Sequence, residues 1–222
     1  MTAAQIKAVQ MKFCGVTRAE DAEAAIASGA ALLGLNFYPG SPRHITLERA
    51  QQIADVVAGR ARLVGVFVNM NVEDVLSIAR AVPLHAVQLH GGESPQDCLT
   101  LASEFDVIRA LKVDADFSVA RASEFAVCRG LLLDTPCTTH GGSGQSFDWA
   151  TVEWTSVRRV LPRTKLFLAG GLHTGNIAEA IAAVQPDVVD VCSGVESTKG
   201  IKSVEKMRDF VAAVRAVERQ EQ

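Results

Sequence analysis

Two side chains stand out for the chemistry they could do. Cys14, in Met11-Lys-Phe-Cys-Gly-Val-Thr17, follows a short apolar run and precedes a helix start. A thiol there faces main-chain amides that favour a thiolate; packed inside a strand it would be only a small hydrophobe. Asp134 closes the run Leu131-Leu-Leu-Asp134. A carboxyl in that place is either desolvated enough to serve as a general acid or a cap for the next loop. A base and an acid on opposite sides of one substrate would amount to proton-transfer chemistry.

Three loops rich in glycine and small hydroxyls offer a second kind of chemistry. They are His140-Gly-Gly-Ser-Gly144, with Gly142, Ser143 and Gly144 at its centre, then Ala169-Gly-Gly-Leu172, with Gly170 and Gly171, and Cys192-Ser-Gly-Val195, with Ser193 and Gly194. Exposed amides at such turns and at helix N-termini hold phosphate oxygens, although glycine also simply makes tight turns. Arg43, in Tyr38-Pro-Gly-Ser-Pro-Arg43, could clamp a carboxylate with its fork, or be merely solvated. Gln88 and His90, in Val87-Gln-Leu-His-Gly91, could line a pocket or be satisfied packing residues.

These residues need a frame, and the chain supplies a repeating one. Eight short apolar runs, at Met11–Cys14, Leu32–Phe37, Leu63–Val68, Ala86–Leu89, Val107–Leu111, Leu131–Asp134, Leu166–Ala169 and Val188–Cys192, alternate with helical patterns. Their unbroken Val, Leu and Phe character suits strands buried on both faces of a parallel sheet. The helices are expected over Ala19–Ser28, opened by a Thr17-x-x-Glu20 capping box, and over Thr46–Ala58, Val72–Ala81 and a segment capped by Ser94-Pro95. Four more are expected over Phe117–Val127, Trp149–Leu161, Gly175–Val184 and Val204–Val214. Eight such units form an α/β fold, the (β/α)8 TIM barrel, as one domain over 1–222 with residues 1–10 an extension or tail. An open doubly wound sheet would carry a glycine-rich dinucleotide loop after its first strand, and Cys-Gly-Val-Thr is not one. In a barrel the site lies at the strands' C-terminal ends, with phosphate held after the last two strands.

Composition narrows the partners. The 222 residues are 48% hydrophobic and carry a formal net charge of −3, which argues against a nucleic-acid binder. No apolar run is long enough to span a membrane, and the first ten residues lack the apolar core of a secretory signal. Five scattered cysteines without a paired spacing read as free thiols of a cytoplasmic protein, and the five histidines suggest no metal site. The expected partner is a phosphorylated small molecule, and the oligomeric state, monomer or homodimer, stays open.

Taken together, several motifs resemble one family. Lys12-Phe-Cys-Gly-Val-Thr17, Asn36-Phe-Tyr-Pro-Gly-Ser-Pro-Arg43, Val64-Gly-Val-Phe-Val-Asn69, Val87-Gln-Leu-His-Gly91, Leu132-Leu-Asp-Thr135, Gly141-Gly-Ser-Gly144 with Phe147-Asp-Trp149, Gly170-Gly-Leu172 and Ser193-Gly-Val-Glu196 occur in the order seen in phosphoribosylanthranilate isomerases. The resemblance runs from Met11 to Met207. It implies an Amadori rearrangement in tryptophan biosynthesis, with Cys14 as general base and Asp134 as general acid. It further implies that Arg43 meets the anthranilate carboxylate, that the glycine loops hold the phosphate, and that no cofactor or metal takes part. The amides of the Val16–Ala19 turn could lower the thiol's pKa without any neighbouring cation. Two departures stand out, Phe13 in place of a β-branched residue and a final motif lacking the family's proline and aspartate, where Ser203 can still cap the last helix. The rival readings are an indole-glycerol-phosphate synthase, a sugar-phosphate epimerase, or a phosphate-ligand-binding barrel without catalysis. The synthase would be expected to show lysine–glutamate pairs on its strands, where only Lys112 sits suitably, and the epimerase to show metal-ligating histidines and aspartates.

Overall fold

The computed structural model describes residues 8–135 and 148–220. Eight parallel strands close into a barrel in sequence order: β1 Gln10–Phe13, β2 Leu32–Asn36, β3 Arg62–Phe67, β4 Ala86–Leu89, β5 Asp106–Lys112, β6 Gly130–Asp134, β7 Lys165–Leu168 and β8 Val188–Val191. All eight expected strands are present, with no end moved by more than one residue. Cys14 lies one residue past β1, and its amide donates to the Val191 carbonyl at 2.9 Å.

Successive strand residues point to opposite faces, so each strand serves two cores. Met11, Phe13, Leu131, Leu133, Val189 and Val191 point outward into the layer between sheet and helices, while Leu132, Phe167, Ala169 and Val188 fill the barrel. The same alternation turns Lys12 with Cys14, Gln88 with His90, Leu132 with Asp134, and Asp190 with Cys192 toward the axis. The polar members of these pairs sit at the C-terminal end, where the strands stop and the loops begin.

The helices are α1 Ala19–Ser28, α2 Leu47–Val57, α3 Val72–Ala81, α4 Pro95–Leu101, α5 Val119–Ser123, α6 Trp154–Val160, α7 Ile177–Val184 and α8 Val204–Gln220. Thr46, Asn71, Ser94 and Ser118 cap α2 to α5 with their side chains, and Ser94 with Asp97 completes a capping box. The capping box expected at Thr17 is absent. Arg18 occupies the cap position without a side-chain bond, and the Thr17 hydroxyl donates to the Gly200 carbonyl at 2.5 Å.

Two helices are shorter than their sequence patterns. After Ser123 the amides of Glu124, Phe125, Ala126 and Cys128 bond three residues back, which tightens the chain and seats Phe125 beneath the Arg109 guanidinium. The stretch from Trp149 breaks into a 3-10 turn, Trp149–Thr151, before α6, and the Trp154 indole donates to the Trp149 carbonyl. One element has no counterpart in the sequence reading. β9 Glu196–Thr198 and β10 Ile201–Lys202 form a hairpin turning at Gly200, and Ser203 then caps α8 by accepting from the Lys206 amide.

Candidate active site

At the C-terminal end of the barrel a cavity of about 90 Å³ is lined by Cys14, Arg43, Gln88, His90, Asp134, Gly170, Gly171, Asp190, Cys192 and Ser193, among others. Cys14 and Asp134 enter it from β1 and β6, which are separated on one side of the ring by β7 and β8. Gly194 does not face the cavity. It packs against the Leu172 carbonyl, where an added Cβ would lie only 2.1 Å away. Gly142, Ser143 and Gly144 lie outside the described residues.

Asp134 is held by two donors. Its Oδ1 accepts from the Thr135 amide at 2.8 Å, and His90 Nε2 lies 3.2 Å from Oδ2. The other ring nitrogen of His90, Nδ1, faces the Gln88 amide nitrogen at 2.9 Å. With the Gln88 amide in this orientation its nitrogen donates to Nδ1, which leaves Nε2 to carry the ring proton toward Asp134. Gln88 Oε1 is buried without a partner among the described residues in this arrangement. Asp134 is thus a strand-end cap through Oδ1 and also lines the cavity.

The loop carrying His90 rests on a buried ion pair. Arg109 Nη1 lies 3.1 Å from Glu93 Oε2 and donates to the Leu89 carbonyl, while Nη2 donates to that of Gly91. Glu93 in turn accepts from the amides of Asn69 and Gly91. This clamp fixes the loops after β3 and β4 together.

Arg43 is buried and engaged from within the protein. Its Nε and Nη2 each donate at 2.8 Å to the two oxygens of Glu196, a bidentate pair. Lys202 adds a third cationic contact to Glu196 at 3.1 Å and also donates to the carbonyls of Cys14 and Cys192. Burial opposes the charge on Glu196, yet the Arg43 and Lys202 contacts outweigh it and hold its pKa below the ordinary value. Burial also pushes the Cys192 thiol up to about 12. That leaves Nη1 as the guanidinium nitrogen of Arg43 not engaged by Glu196.

A cation stands beside Cys14 where the sequence reading invoked none. Lys12, wholly buried, donates to Asp190 Oδ2 at 2.8 Å and shares with the Cys14 sulfur the small gap left by Gly34. Strand register brings the ion pair together, since Lys12 stands directly opposite Asp190 where β1 meets β8. Glu196 and Lys202 were likewise not seen as a network, because the hairpin that carries them was not expected. The signal that could have exposed Lys12 and Asp190 is a charged residue inside an otherwise apolar strand run, which must find a partner.

Residues 11–213 match the family described as N-(5'phosphoribosyl)anthranilate (PRA) isomerase. The chain belongs to that family. An N-(5'-phosphoribosyl)anthranilate isomerase of Thiobacillus denitrificans is 41% identical over 211 residues, covering 94% of this chain and 99% of the relative. The solved phosphoribosyl anthranilate isomerase of Thermotoga maritima superposes with a TM-score of 0.83 at 37% identity, over 94% of this chain and 99% of that one. Another solved phosphoribosyl anthranilate isomerase, at 36% identity and the same TM-score and coverage, is described in complex with reduced 1-(o-carboxyphenylamino)-1-deoxyribulose 5-phosphate. Membership in the isomerase family sets aside the synthase, epimerase and non-catalytic readings.

The two departures from the isomerase pattern are absorbed by packing. Phe13 meets Phe210 of α8 edge-on, with ring centroids 6.3 Å apart. The altered final motif forms the β9–β10 hairpin, and Ser203 still caps the helix that follows.

Proposed function

We propose that the cavity between Cys14 and Asp134 is where this chain carries out the family's isomerisation of N-(5'-phosphoribosyl)anthranilate, with those two residues as base and acid. Asp134 gives its proton to the furanose ring oxygen. The C1′–O4′ bond breaks, and the anilino nitrogen's lone pair closes a Schiff base. Cys14, as thiolate, takes the C2′ proton, and the C–H electron pair becomes the C1′=C2′ bond of an enolamine. Tautomerisation then yields 1-(2-carboxyphenylamino)-1-deoxyribulose 5-phosphate.

The observation that carries this reading is that Cys14 and Asp134 reach one cavity from separated strands, with glycine loops beside them. Gly170, Gly171 and Ser193 follow the last two barrel strands, where phosphate is held in this fold, and Gly142 to Gly144 are assigned to the same role. Arg43 Nη1 is assigned to the anthranilate carboxylate. Gln88 and His90 are assigned to the acid side of the site, His90 orienting the Asp134 oxygen that faces it.

The test is turnover of freshly made phosphoribosylanthranilate, followed by its fluorescence loss. Cys14→Ser and Asp134→Asn are each expected to lower kcat by about 10²–10⁴-fold, the usual contribution of a positioned acid or base. A folded variant with wild-type kcat removes its residue from the assigned role.

A further inference from the structure

β1 sends two neighbouring side chains toward the barrel axis, Lys12 and then Cys14 one strand repeat later. Lys12 has no exposed surface and lies behind the cavity rather than in its lining. Its ammonium donates to Asp190 Oδ2 at 2.8 Å, while Asp190 Oδ1 is buried with no donor among the described residues. Gly34, on the adjoining strand, leaves room for both groups. A Cβ added there would lie 2.8 Å from Cys14 Sγ and 3.2 Å from Lys12 Nζ, so sulfur and ammonium flank the same small gap.

We propose that Lys12 is the positioning residue that raises the thiolate share of Cys14, with Asp190 anchoring the ammonium in place. The proposal rests on the reading of Cys14 as the base. Lys12 keeps its own proton throughout; the thiolate takes the substrate's C2′ proton, and the C–H electron pair passes into the enolamine. The ammonium thereby changes how much of the base is ready before the reaction begins.

The other charged and titratable groups around Cys14 cannot replace it. Lys202, from β10, spends its donors on Glu196 and on the carbonyls of Cys14 and Cys192. Arg43, from the loop after β2, is committed to Glu196 through two nitrogens. Cys192, beyond β8, is held neutral by its own burial. Asp190 opposes a thiolate by like charge. Burial pushes the Cys14 thiol up from its ordinary value, and Lys12 is the largest influence pulling it down, ahead of Lys202. Burial works against the Lys12 charge too, but Asp190 and then Cys14 more than restore it.

The experiment is alkylation of Cys14 by iodoacetamide as a function of pH, read by mass spectrometry of the Cys14 peptide, beside the pH profile of kcat. Lys12→Met alone strands a buried carboxylate and risks misfolding, so the working variant is Lys12→Met with Asp190→Asn. Its alkylation midpoint and the acid limb of kcat are both expected to rise by about one unit, the lower end of what a nearby opposite charge imposes, with little change in KM. Asp190→Asn alone is expected to move the midpoint the other way, because Lys12 is then shared with nothing but the sulfur. An unchanged midpoint in the folded double variant overturns the proposal, as does a shift of both variants in one direction, which would mark a loosened site. If Cys14→Ser retains turnover, the base assignment is what fails, and the alkylation midpoints still report on Lys12.

Discussion

Replacing Glu196 by glutamine isolates the network that ties Arg43 to the rest of the site. Glutamine keeps the shape and one accepting oxygen but removes the negative charge that two cations share. Arg43, Glu196 and Lys202 have side chains no more than 7% exposed, so solvent does little to screen the loss. Removing one partner of such a buried pair costs about 3–5 kcal/mol. For a domain of this size each kcal/mol lowers Tm by about 2–4 °C, so the expected drop is on the order of 6–20 °C. Thermal unfolding followed by circular dichroism measures it. A double variant, Glu196→Gln with Arg43→Met, is expected to lose less than the sum of the two singles, since each removes the same bidentate contact.

The pH dependence carries its own sign. Because the folded protein holds Glu196 below its ordinary pKa of 4.5, its stabilisation is present above that value and fades as pH falls through the folded one. The glutamine variant lacks this component, so its stability is expected to fall less steeply below pH 4.5 than that of the wild type. A Tm within the scatter of the wild type, or additive double-variant losses, would refute the view that Glu196 secures Arg43 and the hairpin.

Two further perturbations probe other parts of the site. Gly170→Ala puts a Cβ 2.1 Å from the Thr135 hydroxyl at a φ of +88°, so unfolding titrations are expected to show at least about 1–3 kcal/mol of destabilisation and steady-state kinetics a raised KM. His90→Ala removes the donor facing Asp134 Oδ2; a lost hydrogen bond of about 1.4 kcal/mol corresponds to about a tenfold fall in kcat, with KM little changed.

The barrel was legible because each strand is a continuous apolar run between helix signals, and both halves of that pattern are local. Cys14, Asp134, Gln88, His90, Gly170, Gly171 and Ser193 were placed by one rule, that strand ends line the site. What escaped were features fixed by partners remote in sequence. Lys12 reads as one polar residue in a strand until register sets it against Asp190, 178 positions away. Thr17 has the spacing of a capping box, yet its hydroxyl is taken by Gly200, 183 positions on. Arg43 looked like a free loop arginine because Glu196 and Lys202 belong to a hairpin of two very short strands that Lys199-Gly200 turns, with no strong strand pattern on either side. The tail of Phe117–Val127 failed as helix because packing Phe125 under Arg109 outweighed propensity.

The contact between Lys202 and the Cys14 carbonyl has a consequence for how the protein comes into being. During synthesis the first strand emerges long before the strand it pairs with, and before the hairpin that braces it. Until β8 arrives, Lys12 has no carboxylate and Cys14 no backbone partner at Val191; until β10 arrives, the turn after Cys14 has no latch. The reactive thiol therefore acquires its surroundings only at the end of translation. A nascent or truncated chain would carry Cys14 without its lysine–aspartate pair and without a closed cavity to bring substrate to it, sparing the cell a half-built site.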